Sequence, residues 1–284
     1  MPIKVFEWNL NHGTDLYDSN VIPAFVSEEI LRMDADIFIL TEFALTKNLQ
    51  EFVDAVKGVY EIICSNHTNR DKYKQNEVLI GWKKDRFDYK YHAEFEPGED
   101  FPDLVAVSLI DKEAKVPLMV IGSRIKVVGD YGIRRSQFMK LVTDSIVTDN
   151  ENVLVGIDAN CLEENYEGEW SIKVMDEMAT ANGLERHTPS ESESSIYQKN
   201  NYFVFKEDHF FSKGEIKCVN VLYDRGFTKR NPEIYTHGED FNERDCYNRN
   251  TIWQIPPWSG IPDHAMVVGE FKIGEEIYDD IGQE

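Results

Sequence analysis

Asn152-Val153-Leu154-Val155-Gly156-Ile157-Asp158-Ala159-Asn160 is the stretch on which the fold turns. A short apolar run rich in β-branched residues, closed by an Asp-x-Asn turn signal, reads as a buried strand. The polar residues at its end sit where a sheet holds side chains rigidly beside a cleft. The same construction recurs along the chain. Ile3–Leu10 is a strand that runs into Trp8-Asn9-Leu10-Asn11-His12, and Asp36–Thr41 is a buried strand followed at once by Glu42. Near the C-terminus, Pro262-Asp263-His264 leads into a last strand, His264–Ile273. Each cluster alone has a local reading: the Asn as a turn residue, Asp-x-Asn as an Asx turn or helix cap, Pro-Asp-His as a turn. Together, in this order, they point to one shared site.

Between these landmarks, Val21–Met33 places Val21, Phe25, Ile30 and Leu31 on one helical face. Further helices are predicted around Asn48–Lys57, over Arg134–Thr148 and over Trp170–Asn182. Tyr60–Ser65, Glu77–Lys83, Leu104–Ile110, Pro117–Lys126, Tyr202–Phe205, His209–Phe211 and Ile216–Leu222 read as strands, and Asn66–Gln75 and Arg225–Pro262 as loops. Many strands with helices between some of them imply an α/β layered domain. The chain has 284 residues, 42% of them hydrophobic, enough for one large core. No linker or repeat divides it, so a single domain is expected over residues 1–274, with an acidic tail over 275–284 that frays.

Fifty-two acidic residues against thirty basic ones give a net charge of −22. Such an excess is a solvated surface and argues against holding long duplex nucleic acid by charge alone. Met1–Glu7 carries an acid within its apolar run and reads as a strand, not a signal peptide. No apolar stretch approaches the roughly 18 residues of a membrane span. Cys64, Cys161, Cys218 and Cys246 are scattered without CxxC spacing, as expected for reduced thiols, so the expected location is cytoplasmic. Oligomeric state is set by no feature of the sequence.

WNLN (8–11), DADIFILTE (34–42), VLVGIDAN (153–160) and PDHAMVVGEF (262–271) resemble, in order, the motifs of the endonuclease/exonuclease/phosphatase superfamily. Lys206-Glu207-Asp208-His209-Phe210-Phe211-Ser212 is similar to a further strand of that family. The resemblance spans Trp8 to Phe271 and is specific for the superfamily, not for a substrate. It implies a four-layer αββα sandwich, deoxyribonuclease I-like, in which two packed mixed sheets are flanked by helices. It also implies a metal-dependent phosphoric ester hydrolase that uses an activated water.

Mg²⁺ takes one or two carboxylates, keeps several waters and accepts phosphate oxygens. Glu42 is its natural ligand, with Asn9 or Asn11 in support through an amide or a bound water; Mn²⁺ is an alternative ion. Asp158 can orient or deprotonate the attacking water, and Asn160 can hold a phosphate oxygen. His264 can donate to phosphate when protonated or relay a proton when neutral. By resemblance its orienting carboxylate is Asp208, and Asp263 lies at the metal's edge, as a ligand or beside one. Asp224 is the alternative partner for His264.

The match departs at Val120-Ile121-Gly122-Ser123-Arg124-Ile125-Lys126, where many members of the family carry a His in the strand before the long helix. Here Arg124 stands in that place. Arginine stays charged and is a poor general acid but a good phosphate clamp. Trp253 and Trp258, just before Asp263, are candidates for stacking on a base or ring. The expected activity is a nuclease-like phosphodiester hydrolase acting on nucleic acid or a nucleotide-like diester. A phosphomonoesterase acting on a small-molecule or lipid phosphate is the first alternative, and a non-catalytic binding module of the same fold the second.

Overall fold

The structure, a computed structural model, describes residues 1–11, 21–43, 48–65, 77–95, 98–127, 130–161, 168–190, 206–235 and 260–274. The predicted strand Tyr202–Phe205, the loop Asn66–Gln75, His12, Cys246, the two loop tryptophans and the acidic tail lie outside the described residues.

Two six-stranded mixed sheets form the centre. The first contains β1 (Ile3–Asn9), β2 (Ile37–Phe43), β3 (Tyr60–Cys64), β4 (Glu77–Lys83), β11 (Ile216–Asp224) and β12 (Met266–Ile273), in the order β11-β12-β1-β2-β4-β3. The second contains β5 (Phe87–Glu94), β6 (Asp103–Asp111), β7 (Pro117–Arg124), β8 (Val153–Asp158), β9 (Glu185–His187) and β10 (Asp208–Lys213), in the order β5-β6-β7-β8-β10-β9. In each sheet one parallel pair, β1 with β2 and β7 with β8, lies among antiparallel neighbours.

Alternation along the strands sorts the apolar residues into three buried layers. Phe6, Trp8, Phe38 and Leu40 face outward and pack under α1 (Ala24–Met33) and α2 (Leu49–Val56) with Phe25, Ile30 and Phe52. Val155, Ile157 and Phe211 face the other way and are covered by α3 (Tyr131–Thr143), α4 (Ser145–Thr148) and α5 (Ile172–Ala181), through Phe138, Leu141 and Met175. Between the sheets lie Ile3, Val5, Ile37, Ile39, Val105, Val120, Leu154 and Phe210. The helix–sheet–sheet–helix order expected from the resemblance follows. Among the described residues no helix is long and apolar enough to cross a membrane.

Some elements differ from the sequence reading. The predicted helix over Arg134–Thr148 breaks at Asp144, whose side chain accepts from Ile146 N at 2.9 Å and starts α4. β5 has mostly exposed side chains along an edge strand, and three-residue β9 is too short to show a period. The loop predicted from Arg225 holds one short helix, α6 (Gly226–Arg230), with Phe227 buried against Trp8.

Candidate active site

The inter-sheet layer changes character along the strands. On β8 the side chains facing it run Leu154, Gly156, Asp158; on β7, Val120, Gly122, Arg124; on β1, Val5, Glu7, Asn9. The two glycines leave no room for side chains between the sheets. A Cβ at Gly156 would lie 2.6 Å from Ile39 Cδ1, and one at Gly122 would lie 2.7 Å from Val78 Cγ1. Beyond that constriction the layer is polar. The strand register places Asp103 opposite Arg124, Arg124 opposite Asp158, and Asp158 opposite Asp208, one row across four strands of the second sheet. In the first sheet, Asn9 and Thr41 form the last register pair of β1 with β2.

Glu42 joins this row through a β-bulge. Leu40 pairs with Leu79, but the next partners are Phe43 and Glu77, so β2 has one more residue than β4 across that interval. Leu40 and Phe43 both pack beneath the helices, and Thr41 and Glu42 share the place of one residue. Glu42 takes up the extra length in the left-handed region, at φ 46°, which is strained for a glutamate. Asn11 and Asn160, at φ 51° and 43°, adopt the same conformation at far lower cost because asparagine tolerates it. This turn brings Glu42 against the Arg124 guanidinium, with which it forms a tight ion pair.

Asp158 is fully buried and braced by amides. Asn9 Nδ2 donates to its Oδ2 at 2.9 Å, Asn160 Nδ2 donates to the same oxygen at 3.0 Å, and Asn160 N donates to Oδ1 at 2.9 Å. Asn9 Oδ1 accepts from Asn11 N at 2.7 Å, Asn11 Nδ2 donates to the Ile261 carbonyl at 3.0 Å, and Asn160 Nδ2 also donates to the Ile125 carbonyl at 2.9 Å. Both ends of the Asn9 amide are therefore engaged within the chain. Asn9 and Asn160 thus hold Asp158 in place. Burial pushes the Asp158 carboxyl up to about 7, and the nearby Asp208 carboxylate adds to that shift against the pull of His264 and Arg124.

His264 and Asp208, 56 positions apart in sequence, meet at 2.6 Å between Nδ1 and Oδ2. Trp8 Nε1 donates to the His264 carbonyl at 3.0 Å, and Tyr223 Oη donates to the Asp208 carbonyl at 2.8 Å, so both backbones are pinned. Burial disfavours a charged imidazole, but the adjacent Asp208 carboxylate outweighs it and raises the His264 pKa well above its ordinary value. The other ring nitrogen, Nε2, lies 3.8 Å from Glu207 Oε2 and 4.0 Å from Asp263 Oδ1. Asp224 is not the partner. Its carboxylate lies 3.4 Å from Arg32 Nη2 and accepts from Gly226 N at 2.6 Å.

Three groups of this site escaped the sequence reading. Glu7, fully buried between the sheets, accepts from Thr41 Oγ1 at 2.6 Å and contacts Asp208. Burial and the Asp208 charge raise its pKa well above the usual carboxylate range. The acid inside the first strand's apolar run was its only trace in the sequence. Asp103 faces Arg124 Nη1 at 3.5 Å and Lys126 Nζ at 3.4 Å. Glu207, beside Asp208, is pushed up to about 8, chiefly by burial, against the pull of His264. Beside these three, Gln137, buried on α3, accepts from Lys126 N at 2.8 Å and donates to the Glu99 carbonyl at 2.6 Å, fixing the segment after β7.

Acids outnumber bases here: Glu42, Asp103, Asp158, Glu207, Asp208 and Asp263 against Arg124, Lys126 and His264. Asp263 is pushed up to about 6 by burial, with Glu42 adding to the shift and His264 opposing it. Burial leads the upward shifts of Asp158, Glu207 and Asp263, neighbouring carboxylates add to them, and a bound cation would oppose both effects. The donors are oxygens, as Mg²⁺ prefers. Among the described residues no three acidic, His or Cys side chains close into a cage. An ion that takes one or two carboxylates and keeps its waters would find them in Glu42 and Asp263.

No family model matches the chain, and no curated protein matches it by sequence. Solved structures do match. ANGEL2, a 2′,3′-cyclic phosphatase, superposes with a TM-score of 0.66 at 13% identity, covering 97% of this chain and 96% of its own. An endonuclease/exonuclease/phosphatase from Bacteroides vulgatus superposes with a TM-score of 0.64 at 13% identity, over 96% of this chain and 99% of its own. The mannosyl-6-phosphatase of Bacteroides thetaiotaomicron gives 0.59 at 13% identity, over 95% and 100%. At that identity the likeness is one of fold. The fold is that of the endonuclease/exonuclease/phosphatase structures.

Proposed function

We propose that this protein hydrolyses phosphoric esters with the help of Mg²⁺, Mn²⁺ being the alternative ion, and that a phosphodiester of nucleic-acid or nucleotide type is the first substrate class to test. One observation carries the reading: Asp158 and the His264–Asp208 pair share the polar end of the inter-sheet layer, Asp158 held by two asparagine amides and His264 by a 2.6 Å contact. Phosphoester hydrolysis needs an oriented water and positive charge near the phosphate oxygens. Asp158 is placed to accept the proton of the water. His264, whose hold on a proton Asp208 strengthens, would donate to a phosphate oxygen. Arg124 adds a permanent charge to the same rim. When bound through Glu42 and Asp263, the metal would polarise the phosphoryl group and make hydroxide easier to form.

The fold's solved relatives include a cyclic phosphatase and a sugar phosphatase, which supports ester hydrolysis while leaving diester and monoester both open. The test compares a generic aryl phosphodiester with the matching monoester in the presence of Mg²⁺, Mn²⁺ or Ca²⁺. Faster metal-dependent turnover of the diester is expected. Preference for the monoester would transfer the reading to a phosphatase, and lack of turnover on both would leave a binding module. Glu42→Gln should weaken Mg²⁺ binding in calorimetry; unchanged affinity would remove Glu42 from the site.

A further inference from the structure

Arg124 does more at this rim than face a phosphate. It is buried, and its guanidinium contacts three carboxylates from three strands. The tightest contact is to Glu42, while Asp103 Oδ2 lies at 3.5 Å from Nη1 and Asp158 Oδ2 at 3.6 Å from Nε. Arg124 Nε makes no hydrogen bond. The weaker contacts are therefore electrostatic anchors, and Glu42 is the directional one. Glu42 is also the carboxylate best suited to a divalent cation, and its strained backbone aims it at the guanidinium.

We infer that Arg124 is a built-in counter-ion of the metal site, which holds Glu42 until a divalent cation takes that carboxylate and which, once released, stays at the rim on Asp103 and Asp158 as the phosphate-facing charge. The inference rests on the metal-dependent reading above. A divalent cation on either Glu42 oxygen draws on the same carboxylate charge as the guanidinium, so metal entry loosens the Arg124–Glu42 pair. Repulsion between the guanidinium and the ion also acts against metal binding throughout. By reciprocity, whatever draws Arg124 away from Glu42, such as a phosphate oxygen, favours the metal. Arginine suits this role better than histidine because its charge does not depend on pH. Without metal it spares the fold a fully uncompensated cluster of buried carboxylates.

The experiment is calorimetric titration with Mg²⁺ and Mn²⁺ of wild type, Arg124→Ala, Arg124→His and Arg124→Lys, each also melted without metal. Arg124→Ala should bind metal about 10- to 100-fold more tightly, the scale of one charge-assisted hydrogen bond, and Arg124→His by less, since the surrounding carboxylates favour a charged imidazole. Arg124→Lys, which keeps the charge but loses the fork, should fall between them and wild type. The metal-free melting temperature of Arg124→Ala should drop and be largely restored by metal. Should Arg124→Ala be unfolded without metal, Arg124→His and Arg124→Lys decide the order of affinities. In a Glu42→Gln background, Arg124→Ala should bring a smaller gain, since the pair is already broken. Wild-type binding with equal or weaker affinity in the folded variants overturns the counter-ion role alone. If no protein in the series binds either ion, the metal-dependent reading falls and the counter-ion role falls with it.

Discussion

Replacing Asp208 by Asn isolates the charge that His264 depends on. The two side chains are buried and 2.6 Å apart. At an effective dielectric of about 20, opposite charges even 4 Å apart attract by about 4 kcal/mol. Burial of the imidazolium offsets part of that, leaving about 1.5–3 kcal/mol for the charged hydrogen bond. Asparagine can still accept from Nδ1 and keep the ring oriented, so the loss is the electrostatic share. On that scale the rate of phosphodiester hydrolysis should fall about 10- to 150-fold at neutral pH. His264 should then lose its proton at lower pH, because desolvation would act with much less opposition. Two measurements follow: the alkaline limb of the pH–rate profile should move to lower pH, and the His264 ring proton resonance should titrate earlier in metal-free protein. Asp208→Ala, which removes orientation as well, should cost about 10²- to 10⁴-fold, the usual range for general acid–base catalysis. An Asp208→Asn protein with both titrations unchanged would show that His264 owes nothing to this carboxylate.

Glu7 offers a second test, since a protonated carboxyl there can donate to Asp208 while accepting from Thr41. Glu7→Gln can reproduce both contacts and should unfold in urea near the wild-type midpoint, whereas Glu7→Leu should cost about 1–3 kcal/mol through the polar atoms it leaves unpartnered. Equal losses in the two variants would mean that Glu7 acts as an ionised group. Stability should also depend on pH. Asp158, Asp263 and Glu207 have folded-state pKa values raised to about 7, 6 and 8, above those of an unfolded chain, and His264 is raised as well. The folded state therefore binds more protons, so these contributions are present in full at low pH and are lost as pH rises through the folded values. The melting temperature in chelator should fall from about pH 5 to about pH 9, and saturating Mg²⁺ should flatten the decline; a rise with pH in chelator would contradict the raised values.

Much of this site was legible in one dimension because strand ends are local features. An apolar run closed by Asp-x-Asn, or by a single Glu, marks where a buried strand meets a cleft, and Asp158, Glu42, Asn9 and His264 all lie at or beside such ends. The layered fold follows from the same runs, since strands buried on both faces need covering on both. Other features depend on pairs of residues far apart in the chain. Strand register alone brings Asp103, Arg124, Asp158 and Asp208 into one row, and so makes Asp208, not Asp224, the partner of His264. An edge strand such as β5, with only one neighbour to pack against, need not alternate clearly, so its pattern was silent. The contacts of Asn9 and Asn160 with Asp158 were not legible for a related reason: which group an amide meets is set by side chains converging from two sheets. Composition records the excess of acid. Only the tertiary structure decides that Glu7 is sealed between the sheets beside Asp208, and that Arg124 is buried against the carboxylate expected to bind the metal.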